Sequence, residues 1–352
     1  MKSGKRALRN LIIVILAELL AVVFVVWFFD PFYQYHQPFL NRKAVLNDSD
    51  NQVPGTIRTF TYDSVLVGSS VAENCDSTYL DEAYDCQTLK VIKTAGSTAD
   101  LLYFLDMVHE RTEPKNVFYC LDITALMVST ETTLYNKEIP RYLHTKSVLD
   151  DGTYIFNKEI LFEKIPTMLA FEKIGKNTGG QAYDWSSGKA FSAEQAMKAY
   201  KRPVEYLEPL EFHEEINRIQ TNISMLVEEV TSHPDTMYRF FIPPYSLLWW
   251  DCAKANGLLE KYYYVLEEVL LALTALPNAE VYDFQIWQEI ACDLSNYMDM
   301  IHYSPAINTR MLESMKQGED LVTEATIERF MDKTKTMVEY MCNEKINEYY
   351  PR

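Results

Sequence analysis

Ser70 ends the run Val65-Leu66-Val67-Gly68-Ser69-Ser70, and Asp299 and His302 stand three residues apart near the other end of the chain. A serine hydroxyl is a weak nucleophile until a base takes its proton, and a histidine serves best when a carboxylate fixes its tautomer. An Asp three positions before a His reaches Nδ1 from the same short loop or helical turn and leaves Nε2 facing outward. Together these types suit nucleophilic acyl transfer. Gly68 permits a tight turn, and the free N–H groups of a helix starting at Ser70 would stabilise a developing oxyanion. Each residue taken singly has a structural account: Ser70 as a helix N-cap, His302 as a surface or capped histidine, Asp299 as a carboxylate at a helix start.

These residues need strand ends to hold them. Apolar runs at Ser64–Val67, Thr88–Ile92, Asn116–Leu121, Met237–Ile242 and Glu280–Phe284 read as buried strands, and helix-period segments fall at about 71–84, 98–112, 211–232 and 256–276. Strands alternating with helices predict an α/β fold: a three-layer, doubly wound parallel sheet of five strands. Ser70 then follows the first strand and Asp299/His302 follow the last, both at carboxyl ends, where open α/β sheets bind ligands. Terminal helices are expected at 305–316 and 324–347, the second capped by Thr323. The interval 129–209 breaks the rhythm with Gly, Pro and aromatic residues and reads as a partly helical insertion in a domain spanning 62–352.

The N-terminus carries a different signal. Residues 11–29 are apolar except for Glu18, long enough nearly to span a hydrocarbon core of roughly 30 Å. Lys2, Lys5, Arg6 and Arg9 precede the run, so the positive-inside rule leaves residues 1–10 in the cytoplasm and everything after Phe29 outside it, with the lipid bilayer as a partner of 11–29. A cleaved signal peptide is the competing reading; the run exceeds a usual signal core, and bulky Trp27-Phe28-Phe29 stand where small residues would be needed. Glu18 is costly in lipid and hints at a partner helix. Residues 30–61, polar and turn-rich, read as a juxtamembrane connector.

Composition narrows the partners. The chain of 352 residues has a formal net charge of −17 and 48% hydrophobic residues, which suits a folded acidic domain and argues against nucleic acid, whose binding is dominated by phosphate neutralisation. Six cysteines show no CxxC spacing, and buried thiols or one or two disulfides both remain open. His36, His109, His144, His213 and His233 share no evident ligand spacing with carboxylates or thiols, and no glycine-rich phosphate loop occurs, so neither a metal nor another cofactor is expected.

The order and spacing of Ser70 and Asp299-Met300-Ile301-His302 resemble the SGNH (GDSL-like) hydrolase superfamily, in which a nucleophilic serine follows the first strand and Asp-x-x-His the last. The resemblance implies a flavodoxin-like sheet and catalytic roles for Ser70, Asp299 and His302. It implies an oxyanion hole from the Ser70 amide and from Gly96 in Thr94-Ala95-Gly96-Ser97-Thr98. Its third block, normally an asparagine, falls at Cys120-Leu121-Asp122, and an ionised Asp122 would repel an oxyanion. Asn74, one turn beyond Ser70, is a substitute donor; alternatively Asp122 is protonated or holds a loop.

The segments Asp30–His36, Tyr62-Asp63, Gly68–Asn74, Ile242–Ser246 and Tyr297–Tyr303 carry a closer similarity, to single-pass extracytoplasmic SGNH-like proteins of Gram-positive bacteria distantly similar to the teichoic-acid D-alanyl transfer protein DltD. That similarity implies acyl transfer to or from a cell-envelope glycopolymer or acyl donor, alongside a multi-pass membrane O-acyltransferase. Asp122, Tyr245, Ser246 and Tyr303 are expected around the substrate cleft, with the segment Pro243–Trp250 either walling it or filling the core. The leading expectation is a serine esterase or acyltransferase. The rival is an inactive scaffold of the same fold that binds a membrane O-acyltransferase or the polymer.

Overall fold

The computed structural model describes residues 2–132, 141–145 and 150–351. The chain is a mixed α/β protein, with the elements α1 (Lys2–Phe29), α2 (Ser49–Thr59), β1 (Ser64–Gly68), α3 (Ser77–Tyr84), β2 (Thr88–Ile92), α4 (Thr98–His109), β3 (Asn116–Cys120), α5 (Asp151–Ile155), α6 (Ile165–Ile174) and α7 (Ala193–Met197). There follow α8 (His213–Ser232), β4 (Met237–Ile242), α9 (Leu247–Ala255), α10 (Leu259–Thr274), β5 (Ala279–Asp283), α11 (Gln288–Ala291), α12 (Pro305–Gln317), β6 (Leu321–Val322) and α13 (Ile327–Tyr340). The six strands form one sheet in the order β2-β1-β3-β4-β5-β6. The first five are parallel and β6 adds a two-residue antiparallel edge, which is one short strand more than the sequence predicts.

All five predicted strands form within a residue or two of the expected bounds. Their residues are buried on both faces, as continuous apolar runs between helix layers require. Helices α4, α8 and α10 pack side by side, and α3 packs on α12. Right-handed crossovers place these two sets on opposite faces, because the connection β1-α3-β2 runs toward one edge and every later connection toward the other. That reversal makes the carboxyl ends of β1 and β3 the switch point of the sheet.

Two local differences matter. The helix expected from residue 71 begins instead at Ser77, where Asp76 caps it by accepting from Thr78 N–H; residues 71–74 form turns. The segment 30–61 is more than a tether: α2 runs through it with Pro54 inside, and Val53 and Ile57 are fully buried in the main core. All six cysteines are free thiols. Near the C-terminus the helix expected from 324 begins at Ile327 with Thr326 at its N-cap; Thr323 instead opens the short turn Glu324–Thr326, its N–H donating to Thr326 Oγ1 at 2.9 Å.

Helix α1 is long and apolar enough, over Gly4–Phe29, to cross a membrane, and almost none of that stretch is covered by the rest of the chain. Its last turns are the exception. Val26 is fully buried in a small cluster with Phe32, Leu143, Tyr154, Ile160 and Ile165, separate from the main core. Asp30 fixes the exit: its buried carboxylate accepts from the N–H groups of Gln34, Tyr35 and His36 and from Tyr154 Oη at 2.7–3.1 Å. Burial raises its pKa, and those four hydrogen bonds oppose the rise.

Candidate active site

The residues singled out at opposite ends of the chain meet. Ser70 Oγ lies 2.9 Å from His302 Nε2, and His302 Nδ1 lies 2.7 Å from Asp299 Oδ2. All three side chains are half-buried, so they are held in place yet open to a ligand. Asp299 Oδ1 is committed elsewhere, accepting from the N–H groups of Ile301 and His302 at 2.9 and 2.8 Å. Burial alone would raise the Asp299 pKa; the hydrogen bonds and charge of His302 outweigh it and hold the carboxyl below its ordinary value of 3.8. The carboxylate therefore stays ionised beside the imidazole, which keeps the proton on Nδ1 and directs the Nε2 lone pair at Ser70.

Both loops owe their positions to identifiable contacts. At Gly68 a Cβ would lie 2.7 Å from Ala72 Cβ and 2.9 Å from Cys120 Cβ, so only glycine lets the turn after β1 fold back against the end of β3. The histidine loop is closed by a bridge between Tyr297 and Tyr303 and by Met298 N–H donating to His302 O at 2.9 Å. Its two tyrosines act as pins. Tyr297 Oη donates to Pro244 O beyond β4, and Tyr303 Oη donates to Val71 O, one residue past Ser70, both at 3.1 Å. Ser246 Oγ adds a 2.6 Å bond to Met300 O. Tyr303 and Ser246 are therefore buried braces rather than the cleft-lining residues expected from sequence, because their hydroxyls are spent on backbone carbonyls of the site loops.

Asp122 and Tyr245 do line a cavity of about 370 Å³ beside the triad, together with Thr124, Trp249, Met300 and His302. Asp122 Oδ1 accepts from Thr124 N–H, Thr124 Oγ1 and Tyr245 Oη at 2.5–2.9 Å. It caps the short helical turn Ile123–Met127 and binds Tyr245, so of the alternatives weighed above it is the loop-holding one that these contacts match. Trp249 faces the cavity while Trp250 is fully buried, which divides the Trp249-Trp250 pair between wall and core.

Gly96 is a correction. Its N–H donates to Lys93 O at 2.9 Å within its own turn, and a Cβ there would meet Lys93 Cγ at 2.9 Å. Its lack of a side chain serves that tight turn, and the N–H is already engaged. Asn74 fares better: it is buried, its Oδ1 accepts from Trp185 N–H at 3.2 Å, and its Nδ2 has no partner among the described residues. A buried amide donor without a partner costs stability, so Asn74 Nδ2, in the turns that follow Ser70, is a donor still unused, shut from solvent and outside the lining of the cavity.

Sequence reasoning missed Trp185 and Glu73. Trp185 comes from the insertion, stands edge-on to His302 with ring centroids 5.3 Å apart, and donates from Nε1 to Ser70 O at 3.0 Å. Nothing in a loop tryptophan's local spacing signals that contact; only the fold brings it across. Glu73 is buried with Oε1 accepting from Thr94 Oγ1 at 2.7 Å. Burial raises its pKa against the opposing effects of Thr94 and Lys90. Fully buried Lys90 donates to Glu73 O at 2.9 Å and Ala182 O at 2.7 Å, tying the serine turn to the insertion, and burial lowers its pKa to about 8.

At the opposite end of the sheet the fold gathers His109, Glu113 and His233 within 4.8 Å, a grouping the sequence reading did not see although His109 and Glu113 are four apart. Glu113 accepts from both rings and Glu229 from His109 at 3.1 Å. The two imidazoles stack face to face at 3.4 Å and 14°, so a single ion cannot lie in both ring planes, and the arrangement reads as an ion-pair network.

Set against protein-family models, curated proteins and solved structures, the chain matches none of them.

Proposed function

We propose that the chain is a membrane-anchored, extracytoplasmic SGNH-like serine esterase or acyltransferase that modifies a cell-envelope polymer. The observation that carries the chemistry is the continuous chain Ser70 Oγ, His302 Nε2, His302 Nδ1, Asp299 Oδ2, with links of 2.9 and 2.7 Å at the carboxyl edge of a parallel sheet. The sheet order β2-β1-β3-β4-β5 and the chain order of the three residues support the SGNH-type, flavodoxin-like reading. The polymer and the companion O-acyltransferase rest on the resemblance.

In this mechanism Ser70 Oγ attacks the acyl carbonyl while His302 Nε2 takes its proton; the carbonyl π bond opens to an oxyanion, held by Asn74 Nδ2 and the Ser70 N–H. Collapse expels the alcohol, which receives the proton back from His302, and leaves an acyl-Ser70 ester. A second hydroxyl, of water or polymer, then gives its proton to His302 and attacks that ester. Reversal of the same steps releases the acylated acceptor and restores Ser70. Asp299 stays ionised throughout and stabilises the imidazolium.

Asp122 at the usual amide position and the engaged Gly96 N–H favour the second reading, a scaffold that keeps the fold without turnover. Incubating the full-length chain in detergent with p-nitrophenyl acetate separates the two. The enzyme reading expects nitrophenolate release and a +42 Da acyl adduct on the wild type, each abolished by Ser70→Ala. Equal release by wild type and variant leaves the scaffold.

A further inference from the structure

The insertion turns large apolar side chains to solvent, interspersed with exposed Glu159, Glu163 and Lys173, for no reason internal to the fold. Phe162 is 81% exposed, Ile174 70%, Phe156 52% and Leu169 39%. From residue 158 the chain is helical through α6, and Phe162, Pro166, Leu169 and Ala170 fall at spacings of four, three and one, on one side of it. Lys173 shares that side, just before Ile174, and Lys176 follows it. The opposite side, with Ile160, Ile165 and Met168, is buried.

A second, independent observation says what covers the exposed side. The elements carrying it pack against the last turns of α1: Val22, Val25, Val26 and Phe29 share a cluster with Ile155, Ile160, Leu161 and Ile165. Val22 lies seven residues before Phe29, about 10 Å down the helix axis at 1.5 Å per residue. If α1 crosses the bilayer, whatever touches Val22 and Val25 sits at the depth of the outer leaflet. Helical backbone satisfies its own polar groups there. The helix cannot roll its face away, because Glu172 is held by Arg42 at 3.0 Å and Lys164 by Asp48 at 2.9 Å. Trp27, half-exposed on α1 with its ring 5.3 Å from that of His36, adds the kind of aromatic found at membrane interfaces.

We infer that residues 156–174 form an interfacial element that lies in the outer leaflet beside α1, with Phe156, Phe162, Leu169 and Ile174 in contact with lipid. This rests on the membrane-spanning reading of α1. It makes the anchor a composite of one crossing helix and one in-plane helix, and through Trp185 the same insertion reaches the Ser70 site.

The test uses the full-length chain in lipid nanodiscs with bimane on an introduced cysteine, in separate variants Phe162→Cys, Ile174→Cys, Leu16→Cys and Leu207→Cys; the signal of the labelled unsubstituted chain is subtracted. Positions 162 and 174 are exposed, so the substitutions leave the packing intact. Replacing part of the lipid by nitroxide lipid, labelled shallow to report on 162 and 174 and deep in the acyl chain to report on 16, should quench 162, 174 and 16 at least about twofold more than 207, whose label should answer to aqueous iodide. Quenching at 16 with 162 and 174 behaving like 207 overturns the interfacial element alone. If 16 also escapes lipid quenching, the membrane-spanning reading falls and the inference with it.

Discussion

Replacing Asp299 by Asn should cost about 10⁴ in acyl-transfer rate, and the geometry says why the amide cannot rescue itself. Asp299 Oδ1 accepts two backbone N–H groups, from Ile301 and His302, while Oδ2 faces His302 Nδ1 at 2.7 Å. An asparagine must keep its oxygen toward the two N–H donors, because turning its NH₂ there would set donors against donors. The NH₂ then points at Nδ1, which can only accept, and the ring proton moves to Nε2. Nε2 now donates to Ser70 Oγ where it must accept, so the base is lost with the fold intact. Loss of the same role in other serine triads costs about 10⁴, or about 5.4 kcal/mol at 1.36 kcal/mol per tenfold. The assay is initial nitrophenolate release by wild type and Asp299→Asn, with circular dichroism melts to confirm equal folding. A variant within about tenfold of wild type would refute the tautomer argument.

Other expectations follow from single contacts. Asn74→Ala should lower the acylation rate by about 10²–10³ as an oxyanion donor is removed. Its melting temperature should change little, because the lost bond from Trp185 is offset by relief of an unpartnered buried amide; an unchanged rate would exclude the donor role. Tyr303→Phe leaves Val71 O without its 3.1 Å donor and should destabilise the chain by about 1–3 kcal/mol in urea melts, while slowing acylation of Ser70 through a loosened loop pair. Burial lowers the His109 pKa but Glu229 and Glu113 outweigh it, so the folded value lies above the ordinary 6.5. The stability this contributes is complete below that ordinary value and is lost as pH rises through the raised one. The melting-temperature gap between wild type and His109→Gln should therefore shrink on going from pH 6 to alkaline pH, and a gap that widens would contradict the ion-pair network.

Much of the architecture was legible because the strands are buried on both faces and read as continuous apolar runs. The triad was legible because Asp-x-x-His is a local pattern and because chain order put it, with Ser70, at carboxyl strand ends. The rest depended on contacts that spacing does not encode. Gly96 is glycine for its clash with Lys93, which marks a tight turn as readily as an oxyanion donor. Ser246 and Tyr303 look like cleft residues by position and are braces by hydrogen bonding. Periodicity puts the start of α3 six residues early because 71–74 makes successive three-residue-span turns that mimic a helix before Asp76 caps the real one. Trp185, Lys90 and the apolar face of the insertion required the insertion's packing against both the serine turn and α1, and no local pattern within 129–209 announces either.

The central claim is that Ser70 is a nucleophile activated by His302. Treating the full-length chain with a fluorophosphonate and mapping the adduct by peptide mass spectrometry tests it most directly. The account predicts a stoichiometric phosphonyl adduct on Ser70 that is absent in Ser70→Ala and strongly slowed in His302→Ala. Labelling of the wild type no greater than that of Ser70→Ala would contradict it.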